Sequence, residues 1–372
     1  MEKSKVYFTD FRARPGYNLL QKLEKLVKAA GIENIDFQNK YVAIKIHFGE
    51  PGNLAYLRPN YAKVIVDVVK ELGGKPFLTD CNTLYVGGRK NALDHIDAAY
   101  SNGFSPFSTG CHVIIADGLK GTDEEYVEIK QEYVKTAKIG KAIMDADIVI
   151  SLNHFKGHEG AGFGGAIKNI GMGSGSRAGK MEMHSSGKPL AIKEKCKKCK
   201  QCFKICAHGA ISFDSDGNAQ IDTTKCAGCG RCIGICNFDA IKSPNDEACD
   251  ILNKKMAEYT LAVIKDRPNF HISLICDVSP YCDCHSENDV PIIQDIGILA
   301  SFDPVALDKA CADLVNEQTA LENSRLGDQI KKDIKEKDHF HMNHPDTNWE
   351  SQIEHGERIG IGNSEYELIK IK

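Results

Sequence analysis

The chain has 372 residues, 42% of them hydrophobic and 26% charged, with a formal net charge of −4. That is ample for a sizeable packed core, and the near-neutral balance excludes a general nucleic-acid binder. No apolar run reaches membrane-spanning length and the start shows no apolar leader core, so a cytoplasmic protein without a membrane partner is expected.

From the N-terminus, short apolar runs predict strands over 6–9, 42–47, 76–79, 113–116 and 148–152, of the kind buried on both faces of a sheet. Helix-length segments lie between them, notably 17–30, closed by Gly31, and 61–72, closed by Gly73 and Gly74. The alternation gives an α/β fold, a mostly parallel sheet covered by helices. Open sheets of this class bind ligands at the carboxyl ends of their strands. His47, Asp80 with Cys81, Asp117 and His154 all fall at such ends.

Residues 154–184 follow, with nine glycines among isolated basic side chains. A loop this rich in glycine is entropically costly to order. Its free amides suit close approach to an anion or cofactor, with Gly164, Gly165 and Asn169 as the cofactor-holding candidates and Lys156, Lys168 and Lys180 as the charge. The spacing meets neither a Walker nor a Rossmann fingerprint. The alternative is a flexible linker into the segment that follows.

That segment carries two copies of Cys-x2-Cys-x2-Cys-x3-Cys: Cys196, Cys199, Cys202 and Cys206, then Cys226, Cys229, Cys232 and Cys236. This is the spacing that holds two four-iron, four-sulfur (4Fe-4S) clusters, each taking three thiolates from one copy and the fourth from the other. One cluster is expected on Cys196, Cys199, Cys202 and Cys236, the second on Cys226, Cys229, Cys232 and Cys206. The segment resembles bacterial two-cluster ferredoxins, with Ala207 and Asn237 where those have proline, and with Ala210-Ile211 and Ala240-Ile241 to pack against the clusters. Zinc has no use for the doubled spacing. Six lysines between Lys193 and Lys204 would ease reduction and leave a positive rim, so an acidic redox carrier such as a ferredoxin or flavodoxin is the expected partner. The domain plan is then a first part of the α/β domain over 1–189, a ferredoxin-like insert over 190–243, and the rest of the α/β domain over 244–372.

After the insert, helices are predicted over 248–265 and 304–316, strands over 272–275 and 296–299, then a polar tail, a helix over 349–359 and a strand over 366–371. Cys276, Cys282, Cys284 and His285 form a candidate site for a further metal or for reactive thiols, with Asp283 to orient the sulfurs. The alternative places Cys276 in the core and leaves the other two as surface thiols. His339, His341 and His344 read as a surface loop.

Several of these pieces carry a wider resemblance. Residues 44–50, 80–85, 154–158, 164–169, 179–184, 282–284 and 301–306 are similar to the "domain of unknown function 362" family in its iron-sulfur form. The resemblance implies an anaerobe-type cytoplasmic iron-sulfur protein with no settled reaction. A more distant likeness to nickel-pincer lactate racemase, through the His/Gly/Lys stretch, is weak, and nickel is not expected from it.

The leading expectation is a ferredoxin-linked oxidoreductase passing single electrons through both clusters to a pocket that takes an anionic small molecule. There His47, His154, His158 and His184 would handle protons, Lys156, Lys168 and Lys180 would hold the anion, and Cys282 and Cys284 would serve as metal ligands or redox thiols. The alternatives are a non-catalytic electron carrier with a partner-selecting scaffold, which a scattered mouth would favour, and a protein that handles metal or clusters for another enzyme.

Overall fold

A computed structural model describes all residues except 1–2, 86, 185–187, 207, 227–230, 237, 239, 243–248 and 333–336, and only the backbone of Arg231 and Gly234. One eight-stranded sheet organises it. Its strands run in the order Tyr366–Lys370, Ser4–Asp10, Gly297–Ser301, Asn269–Ile275, Ile148–His154, Tyr41–Lys45, Lys75–Asp80 and Val113–Ile115. Gly297–Ser301 is antiparallel to both of its neighbours, and the other pairings are parallel. The fold is therefore α/β with a mostly parallel sheet. The reversed strand leaves no mark in the residue pattern, because an apolar run reads the same in either direction.

Alternation along each strand divides the core into two layers. Ile148, Ile150 and Leu152 face one layer with Leu23, Leu26, Ile65 and Val66. Val149 faces the other with Ile167, Ile170, Met256, Val263 and Ala310. The first layer is built by helices Leu19–Ala29 and Pro59–Glu71, the second by Ala166–Ser174, Cys249–Ile264 and Pro304–Asn316. Helix starts follow local chemistry. Asn18 closes a capping box with Gln21, and Asp303 accepts the amides of Val305 and Ala306 just ahead of Pro304.

The glycine-rich stretch is not a loop or linker. It forms the hairpin Lys156–His158 with Gly162–Gly164, then helices Ala166–Ser174 and Arg177–His184. Its glycines provide close contact. A Cβ on Gly171 would stand 2.1 Å from the Met256 carbonyl oxygen of the adjoining helix, and one on Gly173 would stand 2.4 Å from Lys45 Nζ.

The expected surface loop of the tail is also structured. His339 sits in the short helix His339–Asn343, where its Nδ1 bonds to the Val315 carbonyl at 2.9 Å, and His344 Nε2 donates to the Pro280 carbonyl at 2.7 Å. Both rings are buried.

Between the paired strands Ile148–His154 and Asn269–Ile275 the chain leaves the sheet and returns. Leu190–Ala191 pairs with Ile241–Lys242 at the base of this excursion, and Ile211–Phe213 pairs with Ala219–Ile221 within it. Its small core joins Cys202, Ile211, Cys232, Ile233, Cys236, Ala240 and Ile241 to Leu84 and Met181 from the main body. Among the described residues no helix is long and apolar enough to cross a membrane.

Candidate functional site

The carboxyl ends of the central strands open into a cavity of about 460 Å3. Its wall includes His47, Asp80, Cys81, His154, Lys156, His158, Gly164, Gly165, Lys168, Asn169, Lys180, His184 and Cys284, so the candidates scattered along the sequence converge here. Five lysines and arginines line it (Lys45, Arg89, Lys156, Lys168 and Lys180) against the two carboxylates Asp80 and Glu159. The surplus favours a negatively charged occupant.

Its floor is a buried ion network that the sequence reading missed. Lys45 Nζ lies 2.9 Å from Asp80 Oδ1 and donates to Asn169 Oδ1 at 2.8 Å, in the space left by Gly173. Arg89 reaches Glu50 at 2.9 Å and Asp80 at 3.5 Å. Burial works to raise the Asp80 carboxyl, but Lys45, His95, His47 and Arg89 outweigh it and hold it well below the usual carboxylate range. The signal for Lys45 was present, a lysine inside the apolar run 42–46. Arg89 had none.

Two expected roles change. His154 Nδ1 faces Asp283 Oδ2 at 2.8 Å and Nε2 faces the Cys276 carbonyl at 2.8 Å. Both partners accept, so the ring donates twice and has no nitrogen left for a substrate. Asp283, expected to orient the thiols, instead pairs with His154 and Lys156, the latter at 3.6 Å. Asn169 donates to the Lys45 carbonyl at 3.0 Å and to Asn153 Oδ1 at 2.7 Å, tying two strand ends together. A Cβ on Gly165 would stand 2.2 Å from Asp308 Oδ1, and the same Asp308 accepts the amides of Ala166 and Ile167. Gly165 thus lets a neighbouring helix cap the one that carries Lys168. Asp117 does not line the cavity. It is buried, accepts from Asn82 at 2.9 and 2.8 Å, and burial pushes it up to about 6.

His47 keeps a proton available. Its Nδ1 accepts the Gly49 amide at 3.0 Å, which leaves the hydrogen on Nε2. Burial and Arg89 hold the ring well below its ordinary value, so it stays neutral. Lys168 Nζ stands 3.5 Å from Cys282 Sγ. Cys282 is buried rather than a surface thiol, and Cys276 lies in the core next to its strand end.

In the cysteine-rich segment, Cys196, Cys199, Cys202 and Cys236 line one small cavity with Phe213, Ala219, Phe238, Ala240 and Ile241. These four are one of the two crossed sets expected from the spacing, and Lys197, Lys200 and Gln201 complete the wall. Cys206, Cys226 and Cys232 lie in the same segment, and Cys229 lies outside the described residues, as do Ala207 and Asn237. Cys199 and the six lysines from Lys193 to Lys204 are exposed. The segment abuts the main cavity. Leu84 belongs to its apolar cluster and also lines the cavity, and Lys90 Nζ donates to the Cys236 carbonyl at 2.6 Å.

Residues 42–313 match the family model described as Domain of unknown function (DUF362). No curated protein matches the chain. Among solved structures, the lactate racemase apoprotein from Thermoanaerobacterium thermosaccharolyticum has a TM-score of 0.43 at 13% identity, over 98% of this chain and 82% of that one. A Thermotoga maritima protein solved as a structural-genomics target has a TM-score of 0.40 at 14% identity, over 79% of this chain. The chain spans 57% of that protein's length.

Proposed function

Because the chain belongs to the DUF362 family, whose name assigns no reaction, we propose a function from the cavity itself: reduction of a small anionic molecule by single electrons received through the cysteine-rich segment. The observation that carries it is the shared wall. Leu84 and Thr83 line the cavity, Leu84 also packs with Cys202, Cys232 and Cys236, and Arg177 donates to the carbonyls of Thr83 and Lys90.

Two 4Fe-4S clusters, held by Cys196, Cys199, Cys202 and Cys236 and by Cys226, Cys229, Cys232 and Cys206, would supply the electrons. The exposed lysines beside Cys199 form the docking rim for an acidic one-electron carrier. Lys168 and Lys180 attract and orient the anion, and the neutral His47 donates a hydrogen bond from Nε2 to the charge that builds up as the anion is reduced. A deep cavity with convergent side chains supports a substrate rather than a bare carrier.

The test is anaerobic purification with metal counting, followed by reoxidation of the dithionite-reduced protein by a panel of small carboxylates, phosphates and disulfides. About eight irons per chain are expected, with reoxidation faster for anions than for neutral analogues and slowed in Lys168→Ala and His47→Ala at unchanged iron content. Iron-free or zinc-loaded protein, or rates indifferent to both substitutions, would refute the reading.

A further inference from the structure

Apart from Cys81, which lines the cavity singly, two neighbouring thiols lie outside the cluster spacing and beside the cavity. Cys282 and Cys284 have their sulfurs within 4.8 Å of each other and of a ring nitrogen of His158. Taken alone, that set invites a soft metal, but the hydrogen bonds oppose it. His158 Nδ1 accepts the amides of Gly160 and Ala161, each at 3.0 Å, which fixes the ring proton on Nε2. Both nitrogens are then committed, one accepting and the other protonated, so the ring has no lone pair for a cation. Lys168 Nζ, 3.5 Å from Cys282 Sγ, also places a positive charge where the ion would sit.

The same contacts suit a thiolate. Cys282 Sγ takes Lys168 Nζ and the Cys284 amide, the latter at 3.4 Å. A hydrogen bond from the Cys284 thiol holds the Cys282 thiol well below its ordinary value against the effect of burial, with Lys168 and His158 assisting. Cys284 is correspondingly pushed up. One sulfur is the attacker and its neighbour holds a proton in reserve. The loop is also fixed from several sides: Gly157 donates to Ser279, His344 to the Pro280 carbonyl and Arg325 to the Tyr281 hydroxyl.

Resting on the reading of the cavity as an electron-fed site, we propose that Cys282 and Cys284 are a redox-active dithiol that reduces the S–S bond of a small anionic disulfide. The Cys282 thiolate attacks one substrate sulfur, forming a mixed disulfide as the substrate S–S bond breaks and the first thiolate leaves with the bonding pair. Cys284 then attacks the Cys282 sulfur, its proton passing to the second departing thiolate, and a Cys282–Cys284 disulfide forms. Two electrons, delivered one at a time by the acidic carrier through the cysteine-rich segment, and one proton restore the thiolate–thiol pair, and the first departing thiolate takes a second proton from water. The net change is one disulfide, two electrons and two protons to two thiols. A dithiol that stores a pair converts one-electron supply into two-electron chemistry.

The experiment uses the full-length anaerobic protein and the anionic disulfide 5,5′-dithiobis(2-nitrobenzoate), with peptide mapping of the product. Wild type is expected to release two equivalents of thionitrobenzoate in a fast phase and to yield a Cys282–Cys284 disulfide. Cys284→Ser should release one equivalent and retain the probe on Cys282, and Cys282→Ser should lose the fast phase. Lys168→Met, which keeps both sulfurs, should slow it about tenfold. A fast phase that maps elsewhere, survives Cys282→Ser, or ignores Lys168→Met overturns the proposal, as does zinc bound at the pair. The two readings separate cleanly. A fast phase in iron-free protein removes the cluster reading and leaves the dithiol, whereas iron-loaded protein that bleaches with dithionite and shows no fast phase removes the dithiol.

Discussion

Around the sheet-edge cavity, Lys45, Asp80, Arg89 and Asp283 are buried and each has an opposite charge within 3.6 Å. In the cysteine-rich segment the buried groups are mostly thiols and small aliphatic side chains, while six lysines stay in water. The first region is organised by the protein's own charges against a large core. The second has few buried residues of its own and depends on Leu84 and Met181 from outside. Segments below about 70–80 residues rarely gain more than about 3–5 kcal/mol from a core alone, and the clusters proposed for this one would add the ligation that holds its shape. Preorganised polarity belongs to the cavity, whereas the order of the segment is proposed to follow its metal.

The comparison breaks most readily under metal removal. Chelation is expected to abolish hydrogen-exchange protection across 190–242 while Ile148–His154 and Asn269–Ile275 retain theirs; loss of both together would mean the regions are one folding unit. Next in size is Asp80→Asn, which strands Lys45 and weakens Arg89 in a buried site. Denaturant titration should show a loss of about 3–5 kcal/mol, and a loss below about 1 kcal/mol would place the network in water.

Asp308 gives a smaller, pH-dependent effect. Burial pushes its carboxyl up to about 7, so the folded state binds this proton more tightly than the unfolded state. Its stabilisation is present below the ordinary carboxyl value of 3.8 and lost as the pH rises through about 7. The denaturation midpoint of wild type should fall across that window, and Asp308→Asn should flatten the fall. The smallest effect is expected at Glu159 and His285, paired at 2.7 Å but each about two-fifths exposed. Glu159→Gln should change stability by less than about 1 kcal/mol, and added salt should erase the difference.

All eight strands of the main sheet were legible, because apolar runs such as 148–152 and 272–275 are too short to span a membrane as helices and are bounded like buried strands. The hairpin of Glu124–Glu128 with Thr136–Gly140 was not, since its first strand is charged and solvent-facing. The glycine-rich stretch misled most. Glycine announces backbone freedom and tight packing with the same letter, and only the partners decide between them: Asp308 at Gly165, Met256 at Gly171 and Lys45 at Gly173. Residue type located His47, Lys168 and Cys282 near the mouth. It could not say that His154 was already spoken for, because that depends on Asp283, more than a hundred positions along the chain.

The strand Ser4–Asp10 lies between Gly297–Ser301 and Tyr366–Lys370, both of which follow the cysteine-rich stretch along the chain. As the chain emerges from the ribosome, Ser4–Asp10 must wait for them, while the four strands from Tyr41–Lys45 to Ile148–His154 can already assemble with one another. The cysteine-rich stretch is translated in that interval, before the sheet is sealed. The thiols proposed to hold the clusters would therefore be open to iron and sulfide before the sheet closes.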